Sequence, residues 1–181
     1  MDGFVLETER LVLRKMNEGD LESLGLFLSD KEVMYAYEHA FSSEEVKNWL
    51  DRQLERYEKD GFGLWAVVLK ESGEMIGDCG LTIQDADGER LLEIGYHLRK
   101  KFWHKGYATE AAEACKKYAF ETLGAPMVCS IIRDNNFPSR KVAERNGMTV
   151  GKSFVKHYYG MDMPHLVYFA ENDLKRNENN D

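Results

Sequence analysis

The sequence predicts a single α+β domain: one mixed, mostly antiparallel sheet with helices on both faces. Three observations carry this. Strand-like segments cluster between Leu64 and Leu98, separated only by short turns. A long helical segment then runs from Tyr107, and further strand, helix and strand signals alternate after it. Strands joined by short turns pair antiparallel, and helices interleaved with them must cover both faces.

Phe4 to Arg14 alternates, with Leu11 and Leu13 set against Arg10, Val12 and Arg14, and reads as one first strand. Glu18 to Leu28 carries Leu21, Leu24, Phe27 and Leu28 at helical spacing. Ser42 and Glu45 make a capping box ahead of a second helix bearing Val46, Trp49, Leu50 and Leu54, which Gly61 and Gly63 end. Three strands follow at Leu64–Lys70, Met75–Ile83 and Leu91–Leu98, with turn signals at 71–74 and 85–88. The long helix, Tyr107 to about Leu123, has a small-residue side made by Ala108, Ala111, Ala112, Cys115 and Ala119. Gly124 and Pro126 stop it. Met127–Arg133 reads as a buried strand, Ser139–Arg145 as a short helix, and Thr149–Lys156 and Leu166–Ala170 as the last strands. The domain is expected to span 1–171, with a polar, charged tail at 172–181.

Composition narrows the function classes. With 181 residues, 43% of them hydrophobic, the chain can bury a core without staples. A net charge of -8 argues against a nucleic-acid partner, which asks for a basic stripe. The longest apolar run, Leu64–Leu69, is six residues, so no membrane span is expected. The first ten residues lack the pattern of a signal peptide. Cys79, Cys115 and Cys129 are scattered in apolar segments, which suits reduced thiols in a cytoplasmic protein. His39, His97, His104, His157 and His165 have no metal-ligand spacing, and no metal is expected.

One basic cluster interrupts this acidic chain: Arg99, Lys100, Lys101, His104 and Lys105. It precedes Gly106-Tyr107-Ala108-Thr109, at a junction between strand and helix. The start of a helix has unpaired N–H groups and about half a positive charge, which attracts phosphate. Gly106 lets the backbone approach the oxygens, Ala108 keeps the first turn uncrowded, Lys105 adds charge and Thr109 can donate a hydroxyl. Composition alone reaches "an anion at a helix start". The rival motif Gly61-Phe62-Gly63-Leu64-Trp65-Ala66 follows a helix and opens a strand, the reverse of a dinucleotide site.

The stretch Trp103-His104-Lys105-Gly106-Tyr107-Ala108-Thr109 resembles the pyrophosphate-binding motif of the Gcn5-related N-acetyltransferase (GNAT) family, Arg/Gln-x-x-Gly-x-Gly/Ala. Trp103 stands where Arg or Gln is usual, and His104 replaces a glycine common in the branch of ribosomal-protein N-terminal acetyltransferases. Thr8-Glu9-Arg10-Leu11-Val12-Leu13-Arg14, Glu93-Ile94-Gly95-Tyr96-His97-Leu98 and Asn136-Phe137-Pro138-Ser139 are similar, in order, to that branch's opening strand, central strand and Asn-x-x-Ser helix.

The resemblance implies acetyl-CoA as cosubstrate, with its diphosphate at Trp103–Thr109 and its pantetheine arm along Tyr96, His97 and Leu98, near Asn136. On sequence alone Asn136 reads equally as a helix cap. The reaction would move acetyl to a primary amine by direct attack, the amine being a protein N-terminus or a small molecule.

Glu93 is the candidate base. By strand parity it shares a side with Gly95 and His97, opposite Leu92, Ile94, Tyr96 and Leu98, unless a bulge intervenes. A solvated or ion-paired Glu is the rival reading, and His97 is a weaker base. For the acid, many family members carry a Tyr where this chain has Ala143. Ser139 is the substitute, although capping its helix would explain it as simply. Tyr158 and Tyr159 could reach the groove or merely pack. Glu38 and His39 fall in the expected acceptor region, and exposed final strands are compatible with a homodimer. A non-catalytic acyl-CoA-binding module on the same fold is the alternative function.

Overall fold

A computed structural model of the chain describes residues 3–173. Eight strands and four helices follow in the order β1 (Phe4–Glu7), β2 (Leu11–Arg14), α1 (Leu21–Leu28), α2 (Ser43–Lys59), β3 (Leu64–Leu69), β4 (Met75–Ala86), β5 (Glu89–Leu98), α3 (Tyr107–Glu121), β6 (Met127–Arg133), α4 (Phe137–Arg145), β7 (Thr149–Tyr158) and β8 (Met161–Glu171). They form one sheet in the order β1-β2-β3-β4-β5-β6-β8-β7. Every pairing is antiparallel except β5 with β6. The α+β class is as expected.

Alternation in β3 shows why the sheet needs helices on both sides. Leu64, Ala66 and Val68 pack with α1 and α2, through Leu24, Phe27, Leu28, Val46 and Leu50. Trp65, Val67 and Leu69 pack in the opposite core, with Ala111, Ala112, Cys115 and Ala119 of α3 and Val142 and Ala143 of α4. All six residues of β3 are buried. Burial of each large side chain contributes about 1.5–3 kcal/mol, so this double-sided strand anchors the domain. The small side of α3 lets the helix lie close to the sheet, where the Cys79 and Cys115 sulfurs sit 3.6 Å apart. All three cysteines are free and buried.

Several boundaries differ from those the sequence suggests. Phe4–Arg14 is two strands rather than one, because the chain reverses at Thr8–Arg10. The Thr8 hydroxyl accepts the Leu11 amide at 3.0 Å, and the Thr8 amide donates to the Leu11 carbonyl at 2.9 Å. Such a side-chain bond to the local backbone stabilises a turn against strand continuation. The first helix begins as a 3-10 turn at Glu18–Asp20, closed by a capping box from Asn17. The box from Ser42 to Glu45 is present as expected. The last strand starts five residues early, at Met161, despite Pro164, whose carbonyl accepts the Asp134 amide at 3.0 Å. Of the expected tail, 174–181 lies outside the described residues.

Candidate active site

Strand β5 pairs with β4 without a register break from Ala86↔Glu89 to Gly77↔Leu98, so its parity holds along its length. Ile94 and Leu98 therefore face the α3 and α4 core, and Glu93 and His97 face α2. On its other edge β5 meets β6 at one register position, Glu93↔Cys129. The Ser130 hydroxyl ties the strands there by donating to the Ile94 carbonyl at 2.9 Å. Past that tie the strands splay, leaving Tyr96, His97 and Leu98 without a strand partner on the β6 side among the described residues. The splay opens into a cavity of about 1620 Å³ that runs from Gly106–Thr109 to Glu93.

The turn before α3 presents bare amides. His104 has φ 59° and Gly106 φ 82°, both left-handed, and Gly106 stands at the helix start without a side-chain cap. The amide hydrogens of His104 through Thr109 have no acceptor among the described residues, and the first helical bond runs from the Glu110 amide to the Gly106 carbonyl at 3.0 Å. Such a row of donors, with Lys105 beside it, suits a doubly or triply charged anion. The Trp103 indole N–H donates to the Leu98 carbonyl at 2.9 Å, fastening the turn to the end of β5.

A second fastening was not foreseen. Glu110, in the first turn of α3, accepts from the Thr8 hydroxyl at 2.6 Å, the Arg10 amide at 2.9 Å and Arg10 Nε at 2.7 Å. Arg10 in turn donates to the Lys105 carbonyl at 3.0 Å and lies over the Tyr107 ring. Burial works to raise the Glu110 pKa, but the bonds from Thr8 and Arg10 win and hold it below the usual range. The hairpin turn at Thr8–Arg10 thus props the turn before α3 from outside.

In the Asn-x-x-Ser segment Asn136 takes its plain capping place and Ser139 does not. Asn136, not Ser139, caps α4: its Oδ1 accepts the Ser139 amide at 3.3 Å. The same oxygen accepts from the Tyr35 hydroxyl at 2.7 Å. Ser139 sits in the first turn, where its carbonyl accepts from the Tyr96 hydroxyl at 2.7 Å. The cap reading of Ser139 is therefore wrong, since the segment Asn136-Phe137-Pro138 already starts the helix with Pro at its second position. Both residues line the cavity.

Glu93 lies on the cavity wall and makes no side-chain hydrogen bond among the described residues. Burial pushes its carboxyl up to about 7, against the opposing pull of Lys156, His97 and Arg56. A carboxylate poised near neutrality can take a proton from an amine. Beside it runs a buried relay. Asp78, with a fully buried side chain, accepts from His97 Nδ1 at 2.8 Å and from the Trp49 indole at 3.0 Å. His97 Nε2 lies 3.2 Å from the Tyr37 hydroxyl. The imidazole thus bridges the Asp78 carboxylate and that phenol through its two ring nitrogens. Burial, followed by the Glu93 and Asp78 charges, raises the Tyr37 pKa above its ordinary value.

The relay was missed, although one signal pointed to it: Asp78 is the single charged residue in Met75–Ile83, a strand otherwise apolar or small. Glu38 is outside the cavity, bonded to Arg133. His39 is held by Glu45 at 2.8 Å and stacks on Tyr159 at 4.5 Å. Tyr158 lines the cavity. No group of three or more His, Cys, Asp or Glu side chains among the described residues is placed to hold a metal ion. Nor is any described helix long and apolar enough to cross a membrane.

Known proteins share this fold. The family model described as "Acetyltransferase (GNAT) domain" matches residues 10–149. The uncharacterized protein YkkB of Bacillus subtilis (strain 168) is 33% identical over 152 residues, 83% of this chain and 88% of that one. A GNAT-family acetyltransferase of known structure from Bacillus anthracis superposes with TM-score 0.79 at 26% identity, covering 93% of this chain and 98% of the other. Ribosomal alpha-N-protein acetyltransferase RimL in complex with coenzyme A has TM-score 0.76 at 16% identity over 94% of this chain and 98% of its own, an agreement in fold.

Proposed function

Because this chain belongs to the acetyltransferase (GNAT) family and is an acetyl-CoA-dependent acyltransferase, we propose that its cavity brings the coenzyme and a primary amine together for direct transfer. The acceptor on this reading is a protein N-terminus or a small amine. One observation carries the proposal: a single void joins the bare amides of Gly106–Thr109 to the poised carboxyl of Glu93.

The residues fit acetyl-CoA, which supplies an activated thioester. His104, Lys105, Gly106, Tyr107, Ala108 and Thr109 would hold its diphosphate, with Trp103 bracing the turn. The open edge at Tyr96, His97 and Leu98 would align the pantetheine arm. Asn136 lines the same cavity, and its side-chain N–H2, without a partner among the described residues, would contact that arm.

Glu93 is assigned as the base. A lysine-like amine, with a pKa near ~10.4, arrives protonated and must lose that proton before attack, whereas an α-amine near ~8 needs less help. Ser139, on the same cavity, is assigned to assist the departing sulfur, whose thiol pKa of about 8.5 asks for little acid. Orientation supplies much of the remaining acceleration. Cytoplasmic location belongs to the same reading, supported by three buried free thiols, and a homodimer is compatible with it.

The test is a panel of amines incubated with acetyl-CoA and followed by release of free thiol. Turnover on any amine supports the assignment. Tight coenzyme binding with no turnover across the panel would instead support a non-catalytic acyl-CoA-binding module.

A further inference from the structure

The acceptor side of the cavity holds more positive charge than its one free carboxylate requires. Helix α2 presents Trp49, Arg52 and Arg56 to the void, and β7 presents Lys156. Among the described residues, Arg52, Arg56 and Lys156 form no ion pair, whereas Arg10, Arg14, Arg99 and Arg133 are each held by a carboxylate. Arg56 is partly buried, and its side-chain bond goes to the neutral Gln53 Oε1 at 3.1 Å. Burial and the neighbouring Arg52 both act against its charge, only partly offset by Glu93, Asp60 and Glu55. Other cations among the described residues also lack an ion pair, but Arg52, Arg56 and Lys156 border the part of the cavity that holds Glu93, in a chain of net charge -8.

Two simpler roles do not account for them. Lys156 and Arg56 do pull the Glu93 carboxyl down against its burial, but Arg52 has no part in that and still borders the same wall. Nor do they serve the diphosphate turn, since α2 and α3 lie on opposite faces of the sheet. A polycationic acceptor is disfavoured as well. It would meet these three charges, and Glu45, the other carboxylate on this wall, is already committed to His39 and the Ser42 amide.

We infer that the acceptor is a primary amine carrying its own anion, a carboxylate or a phosphate, a few bonds from the nitrogen. The amine faces Glu93, and the anion faces Arg52, Arg56 and Lys156. This deepens the acetyl-transfer reading and rests on it. Arg56 and Lys156, both partly buried, penalise a ligand that leaves them without an anion, which makes the discrimination steep.

Matched pairs test it: an α-amino acid against its carboxamide, and O-phosphoethanolamine against ethanolamine, compared by kcat/KM from thiol release. The anionic member of at least one pair is expected to win by ten-fold or more, and the winning pair identifies the anion. Arg56→Gln and Lys156→Gln should each shrink that ratio toward one. A change confined to Glu93 moves both members of a pair together, so the ratio isolates recognition of the anion. Equal or better turnover of both neutral members would overturn the inference and leave acetyl transfer standing. If no amine turned over, titration of the same pairs into the protein with acetyl-CoA would decide, and no tighter binding of either anionic member would overturn it.

Discussion

His97 and Asp78 are direct cross-strand partners on β5 and β4, and their side chains meet at 2.8 Å on the face covered by α2. Their contact ties the cavity-lining His97 to a buried carboxyl as one electrostatic unit. Removing the imidazole by His97→Ala leaves a fully buried carboxylate with Trp49 as its one remaining side-chain donor among the described residues. The expected loss is about 2 kcal/mol in urea unfolding, because a fully buried acceptor loses one of its two side-chain donors. Asp78→Asn combined with His97→Ala should cost less than the sum of the two, by more than about 1 kcal/mol. Additive losses would mean that the two residues act independently.

Glu93 links acidity to both activity and stability, with opposite signs. Burial holds its folded pKa at about 7, above the ordinary 4.5. As a base it works when ionised, so turnover should rise as pH passes through about 7. For stability, the folded chain binds this proton more tightly than the unfolded chain. The contribution is therefore full below 4.5 and is lost as pH rises through about 7. Glu93→Gln should flatten both profiles. Turnover should fall about a hundred-fold or more, with acetyl-CoA affinity changed only a few-fold. At pH 8 the variant should gain stability on the order of 1–3 kcal/mol. Unchanged turnover across the pH range would remove Glu93 from the mechanism.

What the sequence made legible was local. The Ser42–Glu45 box, the strand at Met127–Arg133 and the bend at Gly106 each depend on neighbours within a few residues, and each is found. What it concealed was long-range. The Thr8–Glu110 and Arg10–Glu110 bonds span about a hundred positions, and nothing in the spacing of Thr8-Glu9-Arg10 names a partner on α3. The Trp49–Asp78–His97–Tyr37 chain likewise draws each member from a different segment. Parity could put Glu93 and His97 on one side of β5, but only the assembled sheet shows that α2 closes over that side. The cap reading, the rival one for Ser139, fails for a local reason: Asn136 and Ser139 are both good cap residues, and Pro138 settles the matter because the helix already starts before Ser139.

Glu110 offers a test of the prop beneath the phosphate turn. Its carboxylate collects the Thr8 hydroxyl, the Arg10 amide and the Arg10 guanidinium, so Glu110→Ala frees Arg10 from α3 and with it the hold on the Lys105 carbonyl. Acetyl-CoA affinity should drop about ten-fold, near 1.4 kcal/mol, through loss of a pre-ordered turn. Isothermal calorimetry would measure it, and a parental affinity would show that the turn keeps its shape unaided.

Gly106 carries the most direct prediction, because its backbone and its surroundings act together. At φ 82° a side chain costs roughly 1 kcal/mol of strain, and an added Cβ would stand 3.4 Å from the Arg10 Nη2. The residue is exposed at the mouth of the cavity, so a large substituent fills the space over the bare amides without entering the core. Gly106→Trp should therefore abolish acetyl-CoA binding while circular dichroism and Tm stay near those of the parent. Gly106→Ala should fall between, since it strains the turn but leaves the amides open. A Trp variant that bound the coenzyme with full affinity would place the diphosphate somewhere other than the start of α3.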